Sequence, residues 1–158
     1  MTGRQATEAL GRVIKHAAGF TWLEPPKPNG TVTVLEPPTK GQGARRVWSD
    51  SQGRIWVSEW NSGNLSRYTP ETDSWQTWPL PGDNPQTYAV YVDEHDLVWA
   101  SDFGSNSMVR FDPETEQFDV FPLPHEPGEV RQILGRPGEV WAPESSADNL
   151  VLIRERGS

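Results

Sequence analysis

Hydrophobic positions along this chain fall in short alternating runs, and the runs recur at a fixed interval. Ile55-Trp56, Val98-Trp99 and Val140-Trp141 follow one another at steps of 43 and 42 residues. Tyr68-Thr69-Pro70 and Phe111-Asp112-Pro113 are 43 apart, as are Trp78-Pro79-Leu80-Pro81 and Phe121-Pro122-Leu123-Pro124. Agreement at several independent positions marks an internal repeat, which decides the architecture before any single motif does. Each unit predicts short strands with period-two patterning. The first strands are 44–49, 87–92 and 129–134; the second are 54–58, 97–101 and 139–142. The third are 64–68, 107–111 and 149–153, and the fourth are 74–78 and 117–121. Turns at Asp50–Gly53, Asp93–Asp96 and Gly135–Gly138 carry residues suited to turn dihedrals.

Short aromatic-rich strands at this spacing are the signature of β-propeller blades, so the fold class is all-β, an incomplete propeller of about three four-stranded blades. The blades are 44–81, 87–124 and 129–154, the last without its fourth strand. Thr31–Glu36, within an edge segment 31–38, resembles the fourth strand at Gln76–Pro81 and is the predicted closing strand. Closed propellers have at least about four blades. Three leave open edges, and open edges pair with other chains, so self-association through the blade edges is expected. The chain is then a piece of a larger propeller or half of a dimeric one. Residues 1–30 break the repeat. Ala6, Ala9, Leu10, Val13, Ala17 and Ala18 share a helical face. Thr2 and Gln5 have capping-box spacing, Gly19 suits a helix end, and Pro25, Pro26 and Pro28 make an extended linker.

Composition narrows the functional classes. Hydrophobic residues are 34% of the chain, and eight tryptophans offset the shortage of aliphatics. The net charge of −8 argues against a nucleic-acid partner. No apolar run reaches the roughly 20 residues of a membrane span. The absence of cysteine excludes disulfides, thiol catalysis and cysteine-bound zinc. The first residues lack the apolar core of a secretory signal, which makes the cytoplasm the default expectation. No nucleophile elbow or phosphate loop is present. No nucleotide, flavin or haem is expected; the expected partner is a small molecule in the propeller channel.

The repeated string combines a lining residue, a Gly/Asp-x-Ile-Trp strand, an acid, Asn-x-ψ-x-Arg-ψ-x-Pro and an aromatic before Pro-Leu-Pro. It resembles the virginiamycin B lyase (streptogramin lyase) family of seven-bladed propellers over about residues 31–154. The resemblance implies an enzyme that opens the lactone of type B streptogramin antibiotics by elimination. A histidine is then the general base, and acidic residues hold Mg2+ to stabilise developing negative charge. At the family's histidine positions this chain carries Tyr88 and Arg131, with Arg45 equivalent in the first unit. Arginine is no base at neutral pH, and tyrosine is one only with a strongly lowered pKa. Glu129, two residues before Arg131, matches one metal position. Glu144 lies one residue short of the other, where Ser145 stands.

Further constellations carry chemistry on their own. Glu59, Asp102 and Glu144 each follow a repeat tryptophan by three residues. With Arg45, Arg46 and Arg131 nearby, they predict a ring of ion pairs, either bracing blades or offering guanidinium forks to an ester or anion. Trp56, Trp99 and Trp141 read as blade core. Trp60 and Phe103 recur near a loop and are candidate ligand-lining residues, with packing as the alternative. His125, just after Pro124, is the remaining candidate base. Two classes stay open: a lyase with Tyr88, Arg131 and His125 at the reaction, or a binding propeller without the family's histidines.

Overall fold

The computed structural model describes residues 14–16, 19–21 and 30–154. The chain divides into two compact units, 1–35 and 36–158. In the first, β1 (Ile14–His16) and β2 (Gly19–Thr21) form a two-stranded antiparallel ladder. Ile14–His16 are strand where the spacing predicts a helix. The other positions of that helix lie outside the described residues.

The second unit holds three antiparallel sheets in the predicted order. β3 (Ala44–Ser49), β4 (Ile55–Glu59), β5 (Asn64–Thr69) and β6 (Ser74–Pro79) make the first. The second comprises β7 (Thr87–Val92), β8 (Val98–Asp102), β9 (Ser107–Asp112) and β10 (Gln117–Pro122). The third has β11 (Leu134–Arg136), β12 (Glu139–Glu144) and β13 (Asn149–Arg154). The architecture is therefore an incomplete β-propeller whose third blade has three strands among the described residues.

Each blade is pinned to the next by its repeat tryptophan. Trp56 is fully buried among Val90, Val92, Val98, Val109 and Phe111 of the second sheet. Trp99 does the same against Val130, Ile133, Val140 and Ala142 of the third. Each ring is also fixed from below. Trp56 Nε1 donates to Asp50 Oδ2 at 2.9 Å, and Trp99 Nε1 to Asp93 Oδ2 at 2.7 Å. The other oxygen of each aspartate accepts backbone N–H groups of the turn, from Gln52 and Arg54 or from His95 and Leu97. Burial pushes the Asp50 carboxyl up, but the Trp56 and Arg54 hydrogen bonds outweigh it and hold it below the usual range.

A second repeated joint uses serine. Ser58 Oγ accepts the Arg46 N–H at 3.0 Å and donates to the Tyr88 carbonyl of the next blade at 2.5 Å. Ser101 Oγ accepts the Ala89 N–H at 2.9 Å and donates to the Val130 carbonyl at 2.7 Å. Pro143 stands at the equivalent place in β12 and has no such hydroxyl.

Two expectations change here. Residues 30–36 enter no strand, and Val32 and Val34 are 90% and 78% exposed. An extended valine pair becomes a strand only by pairing, and this segment joins none of the described ladders. The first strand of the third blade also shifts, from 129–134 to Leu134–Arg136, with Val130 keeping an isolated bridge to Glu144. Glu129 has a left-handed backbone (φ 52°), so the ladder does not continue through it. Gly135 is thus a strand residue, not part of a turn. A Cβ there would collide with the Tyr91 ring and hydroxyl, so its glycine allows a close approach.

Trp99→Ala should lower stability by about 3–5 kcal/mol, the usual cost of emptying a large aromatic site in a core. Urea unfolding of parent and variant measures it.

Candidate functional site

The site is built on a kink shared by the first strands. The β3–β4 register slips between Ala44 and Val47, and the β7–β8 register slips between Thr87 and Val90. In the third blade the irregular stretch runs from the Val130 bridge to Leu134. Bulges bend a strand and re-aim side chains beside functional sites. The residues released from the ladder include Arg45 and Arg46, Tyr88, and Arg131. The kinks thus free the positions that the repeat marks as lining.

These side chains meet the aromatics of the following loops. Trp60 N–H donates to the Gly43 carbonyl at 3.0 Å, and Phe103 N–H to the Gln86 carbonyl at 3.1 Å, tying each loop to the entry of its first strand. Tyr88 stacks on Phe103 with centroids 5.1 Å apart and planes at 19°. Trp60 sets its edge against both, 5.6 Å from Tyr88 and 5.1 Å from Phe103. Three guanidinium groups lie over this platform. Arg45 is 5.5 Å above Trp60, Arg46 is 5.3 Å above Tyr88, and Arg131 is 5.9 Å from both Tyr88 and Phe103. The rings are partly buried and the arginines exposed. Six of the sequence-predicted site residues therefore converge in one cluster.

Glu129 joins its rim. It receives Arg131 at 2.6 Å and the Ser146 hydroxyl at 2.7 Å, both on Oε2. The Ser146 and Arg131 hydrogen bonds hold its carboxyl below the usual range. In return, Glu129 raises the Arg131 guanidinium further.

The predicted ring of ion pairs does not form. Glu59, Asp102 and Glu144 are buried, and among the described residues none pairs with an arginine. They close the turns instead. Glu59 accepts Ser62 Oγ at 2.6 Å, Ser66 Oγ at 2.5 Å and Asn64 Nδ2 at 3.2 Å. Asp102 accepts Ser105 Oγ at 2.6 Å and the N–H groups of Gln86 and Gly104 at 2.7 and 2.9 Å. Charge-assisted hydrogen bonds of this kind stabilise a buried carboxylate without a counter-ion. The missed signal is a serine three residues after the acid, at Ser62 and Ser105.

In the third blade that serine is Ala147, and a histidine takes over. His125 Nδ1 lies 2.8 Å from Glu144 Oε2, and its N–H points to Oε1 at 3.4 Å. The Glu144 side chain is fully buried while His125 is half exposed. Asn106 accepts the Gly128 N–H and donates to the His125 carbonyl, holding the loop. His125 and Glu144 thus form a pair of their own.

Glu129 and Glu144, the expected magnesium ligands, each have other partners. One carboxylate is neutralised by Arg131, and the other directs both oxygens at His125. No cluster of three acidic or histidine ligands occurs among the described residues.

No protein-family model and no curated protein matches the sequence. Solved structures do match the fold. A catalytically inactive virginiamycin B lyase from Staphylococcus aureus, with quinupristin, superposes with TM-score 0.68 at 18% identity over 82% of this chain and 47% of that one. A streptogramin B lyase gives TM-score 0.67 at 18% identity, covering 90% of this chain and 53% of the other. A functionally unknown protein from Desulfotomaculum acetoxidans gives 0.57 at 15% identity over 73% and 38%. The chain spans about half the length of the lyases, and it has a virginiamycin-lyase-like propeller fold.

His125→Ala should cost about 1–3 kcal/mol, because it leaves the buried Glu144 carboxylate without its main partner. The double variant with Glu144→Gln should recover part of the loss. Urea unfolding of the three proteins checks both statements.

Proposed function

We propose that this chain binds a small organic ligand at the mouth lined by its first strands, and that these positions hold a ligand rather than abstract a proton. The carrying observation is the arginine–aromatic cluster at repeat-equivalent lining positions. Two of the three equivalent lining positions hold arginine, a side chain that does not serve as a base. Stacked on aromatic faces, Arg45 and Arg131 present fixed N–H donors beside an apolar ledge. That combination suits a ligand with a flat apolar part and carbonyl or acidic oxygens.

One observation favours a second reading, a lyase that opens a cyclic ester by elimination. His125 is tied at Nδ1 to a buried carboxylate, the arrangement of a base with its orienting group. Magnesium in such a site would supply charge stabilisation at the ester oxygen, and it would have to displace Arg131 from Glu129. Quinupristin is the probe for both readings, incubated with the chain with and without added magnesium. Calorimetry follows binding and chromatography follows ring opening. Binding without opening is expected. Opening that His125→Ala abolishes would overturn the binding reading in favour of the lyase.

We also propose that the two open blade faces join second copies of the chain. Val47, equivalent to the buried Val90 that packs beside Trp56, is 62% exposed. At the other end Trp141, equivalent to Trp56 and Trp99, borders a hollow of about 220 Å3 with Leu134, Gly135 and Arg136, whose guanidinium lies 5.9 Å from the ring. Among the described residues, one face receives no tryptophan and the other offers one with no receptor. Head-to-tail pairing of two copies supplies both and reaches six blades, within the usual range of about 4–8. Light scattering should give twice the chain mass, and Trp141→Asp should halve it. A parent chain at single mass would overturn the pairing.

A further inference from the structure

The cluster at the mouth points to a chemical class of ligand, and the inference rests on the binding reading above. We propose that the site takes an aromatic carboxylate: a planar ring carrying a carboxylate group.

Charge supplies the first part of the argument. Acidic residues outnumber Lys and Arg by 22 to 14 in the chain, yet Arg45, Arg46 and Arg131 gather over one group of rings. Glu129 compensates only Arg131. Among the described residues Arg45 and Arg46 have no carboxylate partner at all. Arg54, Arg110, Arg136 and Arg154 each have one, while Arg67, which has none, is spent on the Gln76 amide oxygen and on the Trp56 and Trp78 rings. Two exposed guanidiniums without a carboxylate partner leave this rim open to an anion. The planar fork of arginine matches a carboxylate with two parallel hydrogen bonds.

The rings supply the second part. Arg45 and Arg46 are adjacent in sequence yet reach different rings, Trp60 of their own blade and Tyr88 of the next. The strand kink at Ala44–Val47 makes this divergence possible. The forks therefore flank an aromatic platform in which Trp60 lies edge-on to the stacked Tyr88 and Phe103. A flat aromatic ring gains from offset or edge-to-face contact with such a platform. A carboxylate on that ring then lies within the span of the guanidiniums.

The rival cleft, about 360 Å3 at the opposite end of the blades, is lined by Arg54, His95, Asp96, Asp112 and Glu114. Three of its charged groups are already engaged. Asp96 accepts Ser51 through both oxygens, Asp112 accepts the Glu114 N–H and Thr115, and Arg54 pairs with Asp50. It leaves no free fork for a ligand anion.

The test is calorimetric titration of the whole chain with 2-naphthoate and with its neutral counterpart 2-naphthamide. Naphthoate should bind about tenfold more tightly or better, the yield of a single charge-assisted contact of about 1.4 kcal/mol. Arg46→Met and Arg45→Met, with unchanged melting temperatures, should each remove most of that preference and leave naphthamide affinity as it was. Equal affinities for the two probes would overturn the carboxylate class and leave the binding reading standing. No heat from either probe up to millimolar concentration would overturn both. An undiminished naphthoate preference in both variants would place the anion elsewhere and overturn the assignment to this site.

Discussion

The burial of one tryptophan per blade in the neighbouring blade governs this structure. A single twisted sheet of three or four short strands has two faces and no core of its own. Stacking is what buries those faces, so each blade depends on its neighbour. Trp56 and Trp99 make that dependence specific. Each is wedged into the next sheet by shape and held in rotation by an Asp–indole hydrogen bond. The Asp also organises the turn that precedes the tryptophan strand. One carboxylate therefore couples a local turn to a long-range joint, which explains why the turn and the tryptophan recur together.

The serine joints extend the same logic to the first strands. Where the strand kinks, its N–H groups leave the ladder and need new partners. Ser58 and Ser101 accept one of them and donate to the next blade. The kink is thus satisfied rather than strained, and Arg45, Arg46 and Tyr88 are free to face the mouth. Scaffold and site are built from the same irregularity.

Most of the fold was legible because the repeat offers the same information several times. The first strands of two blades fall at 44–49 and 87–92 as the pattern predicts. Legibility failed where the repeat itself fails. The third blade carries Gly135 for contact with Tyr91, Pro143 in place of a serine and Ala147 in place of another, so its first strand was misplaced. Residues 31–36 imitate a fourth strand in pattern, but pattern does not supply a partner. The shared position of Arg45, Tyr88 and Arg131 was legible from the repeat, whereas the contact of Arg46 with Tyr88 was not, because its equivalent in the next blade is Ala89. Nor was the fate of the acids. A row of acids beside a row of arginines suggests ion pairs, whereas the nearer hydroxyl and backbone groups took the carboxylates first.

That competition also explains the chemistry left at the mouth. A buried acid satisfied by serine hydroxyls needs no counter-ion, which leaves nearby arginines uncompensated. Glu59 and Asp102 turn inward to their serine partners. Their inward placement converts the same composition into an exposed cationic rim on an aromatic floor. A fold shared with lyases does not carry their activity with it, since activity belongs to the side chains grafted on the scaffold. Here two of the three lining positions carry arginine and the third carries Tyr88, and a guanidinium suits recognition of charge better than movement of protons.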